Sequence, residues 1–170
     1  MRLFIAIGFD DATKGKILAV QRRLKELGYG RFTTPENIHL TLAFLGEVGE
    51  DRLSDVKTAM DRVTVPKLKL SFEKIGCFRR DSELWWIGLR EDPALLKLQK
   101  ELTGSLKDAG FKLESRRFRP HITLAREMNI GRVDSKALLP GRFETEADSI
   151  SLMLSSRPNG KLTYTELYRK

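Results

Sequence analysis

The chain contains two histidines, and both stand in the same local frame. His39 lies in "NIHLTLAF" and His121, 82 positions on, lies in "RPHITLAR". Successive side chains of a strand point to opposite faces. His39 and Thr41 therefore project together, as do His121 and Thr123, while Leu40, Leu42, Ile122 and Leu124 anchor the other face. Two imidazoles, each with an ordinary pKa near ~6.5, can divide the work of proton transfer near neutrality. A neutral one takes a proton from an attacking oxygen, and a protonated one gives a proton to a leaving oxygen. Each such step is worth about 10²–10⁴-fold. Threonine hydroxyls can donate to the non-bridging oxygens of a phosphate as charge builds there. The foursome suits displacement at a phosphoester and calls for no metal.

A lone histidine beside a strand threonine is ordinarily a half-buried surface pair, and threonine is common in strands for packing reasons alone. Duplication in register, using every histidine in the chain, is what sets this pair apart. The rival use, a metal site, lacks an H-x-x-x-H spacing or an acidic cluster, and the single cysteine, Cys77, falls in a different segment.

The elements that must position the histidines repeat with them. At an offset of 82, Ile5 falls on Ile87, Asp10 on Asp92, Ala12 on Ala94, Leu24 on Leu106 and Gly28 on Gly110, without a gap. "RLFIAIGF" and "LWWIGLR" read as short apolar strands. Asp10 and Asp92 sit at N-cap positions, and Pro93 suits a first helical turn. Ile17, Val20 and Leu24, like Leu95, Leu98, Leu102 and Leu106, recur at helical spacing, and the two glycines close the helices. "KLKLSF" and "SISLML" alternate as strands, with a helix predicted over 51–63 before the first and a shorter one over 133–139 before the second. "KLTYTELY" closes the chain as a strand after a turn at Pro158–Gly160. These elements predict an α+β fold: two similar lobes of mainly antiparallel sheet with helices outside, related by a pseudo-twofold axis around a central cleft. Residues 1–170 read as a single bilobal domain whose internal repeat covers approximately 1–80 and 83–170, joined by a turn near Arg80–Ser82.

Composition bounds the rest. With 170 residues, 41% of them hydrophobic, a substantial core is affordable in one domain. No apolar run approaches the ~18 residues that span a bilayer, and the N-terminal run reads as a buried strand. One cysteine excludes an internal disulfide and points to the reducing cytoplasm. The net charge of +8 makes an anionic partner plausible. Nothing resembles a zipper or a large apolar face, so a monomer is expected.

The stretches "HLTLAFLG" (39–46) and "RPHITLAR" (119–126) resemble the paired H-x-T-x signatures of the two-histidine phosphoesterase superfamily, in particular its RNA 2′,3′-cyclic phosphodiesterases, historically called 2′-5′ RNA ligases. The resemblance runs through nearly the whole chain. It implies hydrolysis of an RNA 2′,3′-cyclic phosphate end to a 2′-phosphate, with no metal or nucleotide cofactor. By the same resemblance His39 is the proton donor to the leaving 3′ oxygen, His121 the proton acceptor that activates water, and Thr41 and Thr123 hold the phosphate. Some relatives also join RNA ends through a 2′-5′ linkage.

Beside the motifs, Phe44 aligns with Arg126. Phe44 is a candidate to stack a base and Arg126 to pair with phosphate, although strict alternation puts both opposite the histidines. Arg116, Arg117, Arg119, Arg79 and Arg80 form a candidate track for an RNA backbone. Trp85 and Trp86, being adjacent, face opposite ways, one to the core and one to the cleft. Two other readings use the same residues: a phosphodiesterase for a small cyclic phosphate of the ADP-ribose type, and a non-catalytic RNA- or nucleotide-binding module. Retention of both proton-transfer groups argues against the second.

Overall fold

The computed structural model describes residues 1–170. Its elements run β1 (Arg2–Ile7), α1 (Asp11–Lys25), β2 (Arg31–Phe32), β3 (Leu40–Glu47), α2 (Leu53–Asp61), β4 (Leu68–Arg79) and β5 (Glu83–Leu89). They continue with α3 (Pro93–Asp108), β6 (His121–Met128), α4 (Ser135–Leu138), β7 (Phe143–Ala147), β8 (Ser151–Ser156) and β9 (Thr163–Arg169). The helices begin where the sequence puts their caps. The Asp10 carboxylate accepts the Thr13 N–H at 2.7 Å, and that of Asp92 accepts the N–H groups of Ala94 and Leu95. Gly110 ends α3 at φ +88, a left-handed turn that suits glycine. Gly28 has a different reason to be glycine: a Cβ there would stand 2.5 Å from Cγ2 of Ile130.

Two antiparallel sheets form two lobes. One has the order β3-β1-β8-β9, and the other β2-β6-β5-β4-β7. Under the 82-residue repeat β1 corresponds to β5, β3 to β6, and β4 to β8, so the orders 3-1-8-9 and 6-5-4-7 are the same arrangement. The lobes are not the sequence halves. β4, from the first half, pairs with β5, and β8, from the second, pairs with β1. The helices cross over too. α1 follows a strand of the first sheet but reaches β7 of the second through Thr13 Oγ1–Thr145 Oγ1 at 2.8 Å. α3 follows β5 and packs against α2 and β3. Each half thus completes the other's sheet, and neither lobe's core closes without both. The core is a single cluster of 33 buried residues. Leu40, Leu42, Ile122 and Leu124 contribute to it from the two histidine strands, none more than 3% exposed.

No helix is long and apolar enough to cross a membrane.

Candidate active site

β3 and β6 belong to different sheets and approach within 8 Å Cα to Cα, so the two H-x-T faces meet across the cleft. The two imidazoles are held alike. Nδ1 of His39 lies 2.7 Å from the main-chain oxygen of Asn37, and Nδ1 of His121 lies 2.7 Å from that of Arg119. A carbonyl oxygen can only accept, so Nδ1 carries the hydrogen in both rings and Nε2 is left for chemistry. His39 Nε2 is 2.8 Å from Thr41 Oγ1; with Nε2 unprotonated, the hydroxyl donates. Asn37 is itself anchored, its Nδ2 donating to the Leu162 oxygen at 3.0 Å.

The surroundings of the two rings differ. His39 is walled by Phe4 and Tyr164, with centroids at 4.8 and 5.1 Å, and this burial pushes its pKa below the ordinary value. The Asn37 carbonyl opposes the shift, while the charges of Arg126 and His121 add to it. Arg126 and His121 therefore both act on His39 across the groove. His121 is flanked more openly by Phe78 and Trp86, at 5.6 and 6.1 Å.

Strict alternation along the histidine strands fails at two points in each, the first of them just after the threonine. In β3, Thr41 pairs with Ala6 but Ala43 with Ile5, leaving Leu42 as an extra residue. In β6, Thr123 pairs with Trp86 but Ala125 with Trp85, leaving Leu124 extra. Each bulge reverses the parity beyond it. Leu42 and Ala43, like Leu124 and Ala125, are buried together, and Arg126 emerges exposed on the histidine face. The expectation that Arg126 lies opposite His121 is corrected by this extra residue. Phe44 also emerges, 44% exposed, but it lies beneath the Arg2 guanidinium at 5.1 Å and makes no aromatic contact with either histidine.

At each bulge a glutamine amide donates to the main-chain oxygen of the extra residue, at Leu124 beside the Thr33 N–H that the same oxygen accepts at 3.0 Å. Gln21 Nε2 on α1 donates to the Leu124 oxygen at 2.9 Å and to the Thr33 oxygen at 2.8 Å. Gln99 Nε2 on α3 donates to the Leu42 oxygen at 3.2 Å. These are the only glutamines in the chain. Sequence reading missed their role; their scarcity was the available signal, but the bonds join residues far apart in the chain. It also missed Tyr164 and Phe4. The latter has a visible signal, since it falls on Trp86 under the repeat.

The arginines divide. Arg117 and Arg119 line the cleft beside His121. Arg79 is tied to Glu83 and to the Gly131 oxygen, and Arg116 to Glu114. Trp85 is core, its Nε1–H donating to Glu83 at 2.9 Å, while Trp86 lines the cleft. No three His, Cys, Asp or Glu side chains come together as a metal-binding group.

The chain matches the family described as LigT like phosphoesterase twice, over residues 7–86 and 87–163. It is 35% identical over 128 residues to an RNA 2′,3′-cyclic phosphodiesterase of Archaeoglobus fulgidus, covering 74% of this chain and 72% of that protein. It is 32% identical over 174 residues to the one of Methanocaldococcus jannaschii, covering 95% and 96%. The crystal structure of E. coli LigT complexed with 3′-AMP superposes with a TM-score of 0.85 at 30% identity, over 99% of this chain and 96% of that one. The doubled match and the shared fold agree with the paired motifs: the chain belongs to the two-histidine phosphoesterases, in the LigT-like family of RNA 2′,3′-cyclic phosphodiesterases.

Proposed function

We propose that this protein hydrolyses the 2′,3′-cyclic phosphate at an RNA end to a 2′-phosphate, using His39 and His121 as a proton-transfer pair. The observation that carries this reading is the twofold Nδ1 anchor. Two imidazoles, each fixed in one tautomer by a main-chain carbonyl, turn Nε2 towards one groove.

In the step as we read it, neutral His121 takes a proton through Nε2 from a water. The water oxygen forms a bond to phosphorus as the P–O3′ bond breaks, and protonated His39 gives its Nε2 proton to O3′. His121 then releases its extra proton to solvent and His39 takes one up, and the pair returns to its starting state. The division of roles follows the family resemblance. Burial favours neutral His39 in the free protein, and the negative charge of a bound phosphate beside it favours the protonated form that a donor requires. Thr41, Thr123 and Arg126 supply donors to the phosphate oxygens. That LigT of E. coli has been crystallised with 3′-AMP and with phosphate supports a phosphate-bearing nucleotide as the occupant. The same chemistry with an RNA 5′-hydroxyl in place of water would form a 2′-5′ link. We place the enzyme in the cytoplasm as a monomer, its one thiol, Cys77, free.

The test is a short RNA with a 2′,3′-cyclic phosphate end, incubated with the protein in the presence of chelator. Conversion to a 2′-phosphate is expected. An RNA that is bound but returned unopened would refute the reading.

A further inference from the structure

The cleft extends beyond the histidines on one side. Next to His121 it opens into a hollow of about 250 Å³ whose lining includes Lys74, Phe78, Trp86, Arg117 and Arg119. Its aromatic surface has an unusual seat. Trp86 pairs across the ladder with Gly76. A Cβ on Gly76 would stand 2.1 Å from the indole Cζ2, and one on Gly88 would stand 2.8 Å from Cζ3. The six-membered ring thus fills space that two side chains would otherwise take and rests on bare backbone, while the half-buried residue lines the hollow. Phe78, 37% exposed, walls it with centroids 5.3 Å apart.

The matching position in the other lobe offers no such surface. Phe4 is 3% exposed, with His39 and Tyr164 each 4.8 Å away. The charges on the hollow point the same way. Arg117 is held by Glu91 at 3.0 Å, whereas Lys74 and Arg119 have no carboxylate partner. An available aromatic face between unpaired cations, next to a phosphate-handling imidazole, fits a base with a phosphodiester attached.

We propose that Trp86, walled by Phe78, is a stacking shelf for the nucleobase of the terminal nucleotide, and that Lys74 and Arg119 hold the phosphodiester on its 5′ side. The proposal rests on the cyclic-phosphate reading of the groove. It names the favoured substrate as a polyribonucleotide end rather than a base-free cyclic phosphate.

The experiment compares wild type, Trp86→Leu and Trp86→Phe on an RNA ending in a 2′,3′-cyclic phosphate and on the same RNA whose last sugar carries no base. Leucine keeps apolar bulk over the two glycines but has no face. Trp86→Leu should raise KM for the intact RNA about tenfold or more, with kcat changed by no more than about twofold, and Trp86→Phe should recover most of the loss. Removing the base should cost the wild type a similar factor, and the two losses should not add. Fully additive losses, or a base-free end used as well as the intact one, would overturn the shelf. Failure of the wild type to open either RNA would defeat the reaction reading instead. The shelf is then judged by anisotropy of a labelled RNA ending in a 2′-phosphate: about tenfold weaker binding by Trp86→Leu supports it, and equal binding overturns it. Lys74→Gln and Arg119→Gln should each lower the slope of log affinity against log salt by about 0.7. An unchanged slope in both would remove them from the proposal.

Discussion

Gln21 and Leu124 are 103 residues apart in the chain, yet the amide of one closes the bulge that the other creates beside His121. Because Gln21 is 3% exposed and bonds two carbonyls, its removal strips the Thr33 oxygen of its donor and leaves the Leu124 oxygen with the Thr33 N–H alone, next to the His121 strand. Gln21→Leu should cost about 1–3 kcal/mol of stability and lower kcat, since the bulge sets the directions of Thr123 and Arg126. Gln99→Leu, removing one 3.2 Å bond from a half-buried side chain, should cost less on both counts. Denaturant unfolding and steady-state kinetics on the two variants check the ranking; equal effects would speak against the bulge as the cause.

His39 should titrate below the ordinary imidazole value of about 6.5. Burial against Phe4 and Tyr164 is the main cause, so Tyr164→Ala should move the value upwards. The folded-state pKa is depressed, so the unfolded chain binds more protons. This site's contribution to stability is therefore complete above about pH 6.5 and is lost as pH falls through the depressed value. Ring-proton chemical shifts followed against pH give the titration directly. The same group bounds the reaction. Once both histidines are protonated no base remains, so the acid limb of kcat/KM should fall below about pH 6.5 and rise in Tyr164→Ala. An acid limb above neutrality in the wild type would contradict this.

Glu83 should be a main support of the loop that leaves β6. Burial alone would raise its pKa, but the N–H groups of Ile130 and Gly131, the Trp85 indole and Arg79 outweigh that and hold it below the usual carboxylate value. Glu83→Leu strands these donors and should destabilise the chain by about 3 kcal/mol or more, measurable by denaturant unfolding. A loss under about 1 kcal/mol would mean that water replaces the carboxylate without strain.

Much of this architecture is written locally in the chain. The caps Asp10 and Asp92, the helical spacing of the leucines and the pairing of each histidine with a threonine depend on residues within a few positions, and all can be read from them. The exchange of β4 and β8 between lobes cannot, because alternation says that a segment is a strand but not which strand it joins. The short strands β2 and β7 carry too little pattern to stand out. The bulges at Leu42 and Leu124 escaped for a related reason. An extra residue in a strand looks like any other apolar residue until its carbonyl finds a distant glutamine, and that one residue decides where Arg126 points.

The central claim is that His39 and His121 act as one unit. The most direct test is kcat/KM for cyclic-phosphate RNA in His39→Ala, His121→Ala and the double variant. Each single variant should lose about 10²–10⁴-fold, and the double variant should be little worse than the poorer single one, as for groups serving one transition state. A single variant that keeps near wild-type activity, or losses that simply multiply, would contradict the pair.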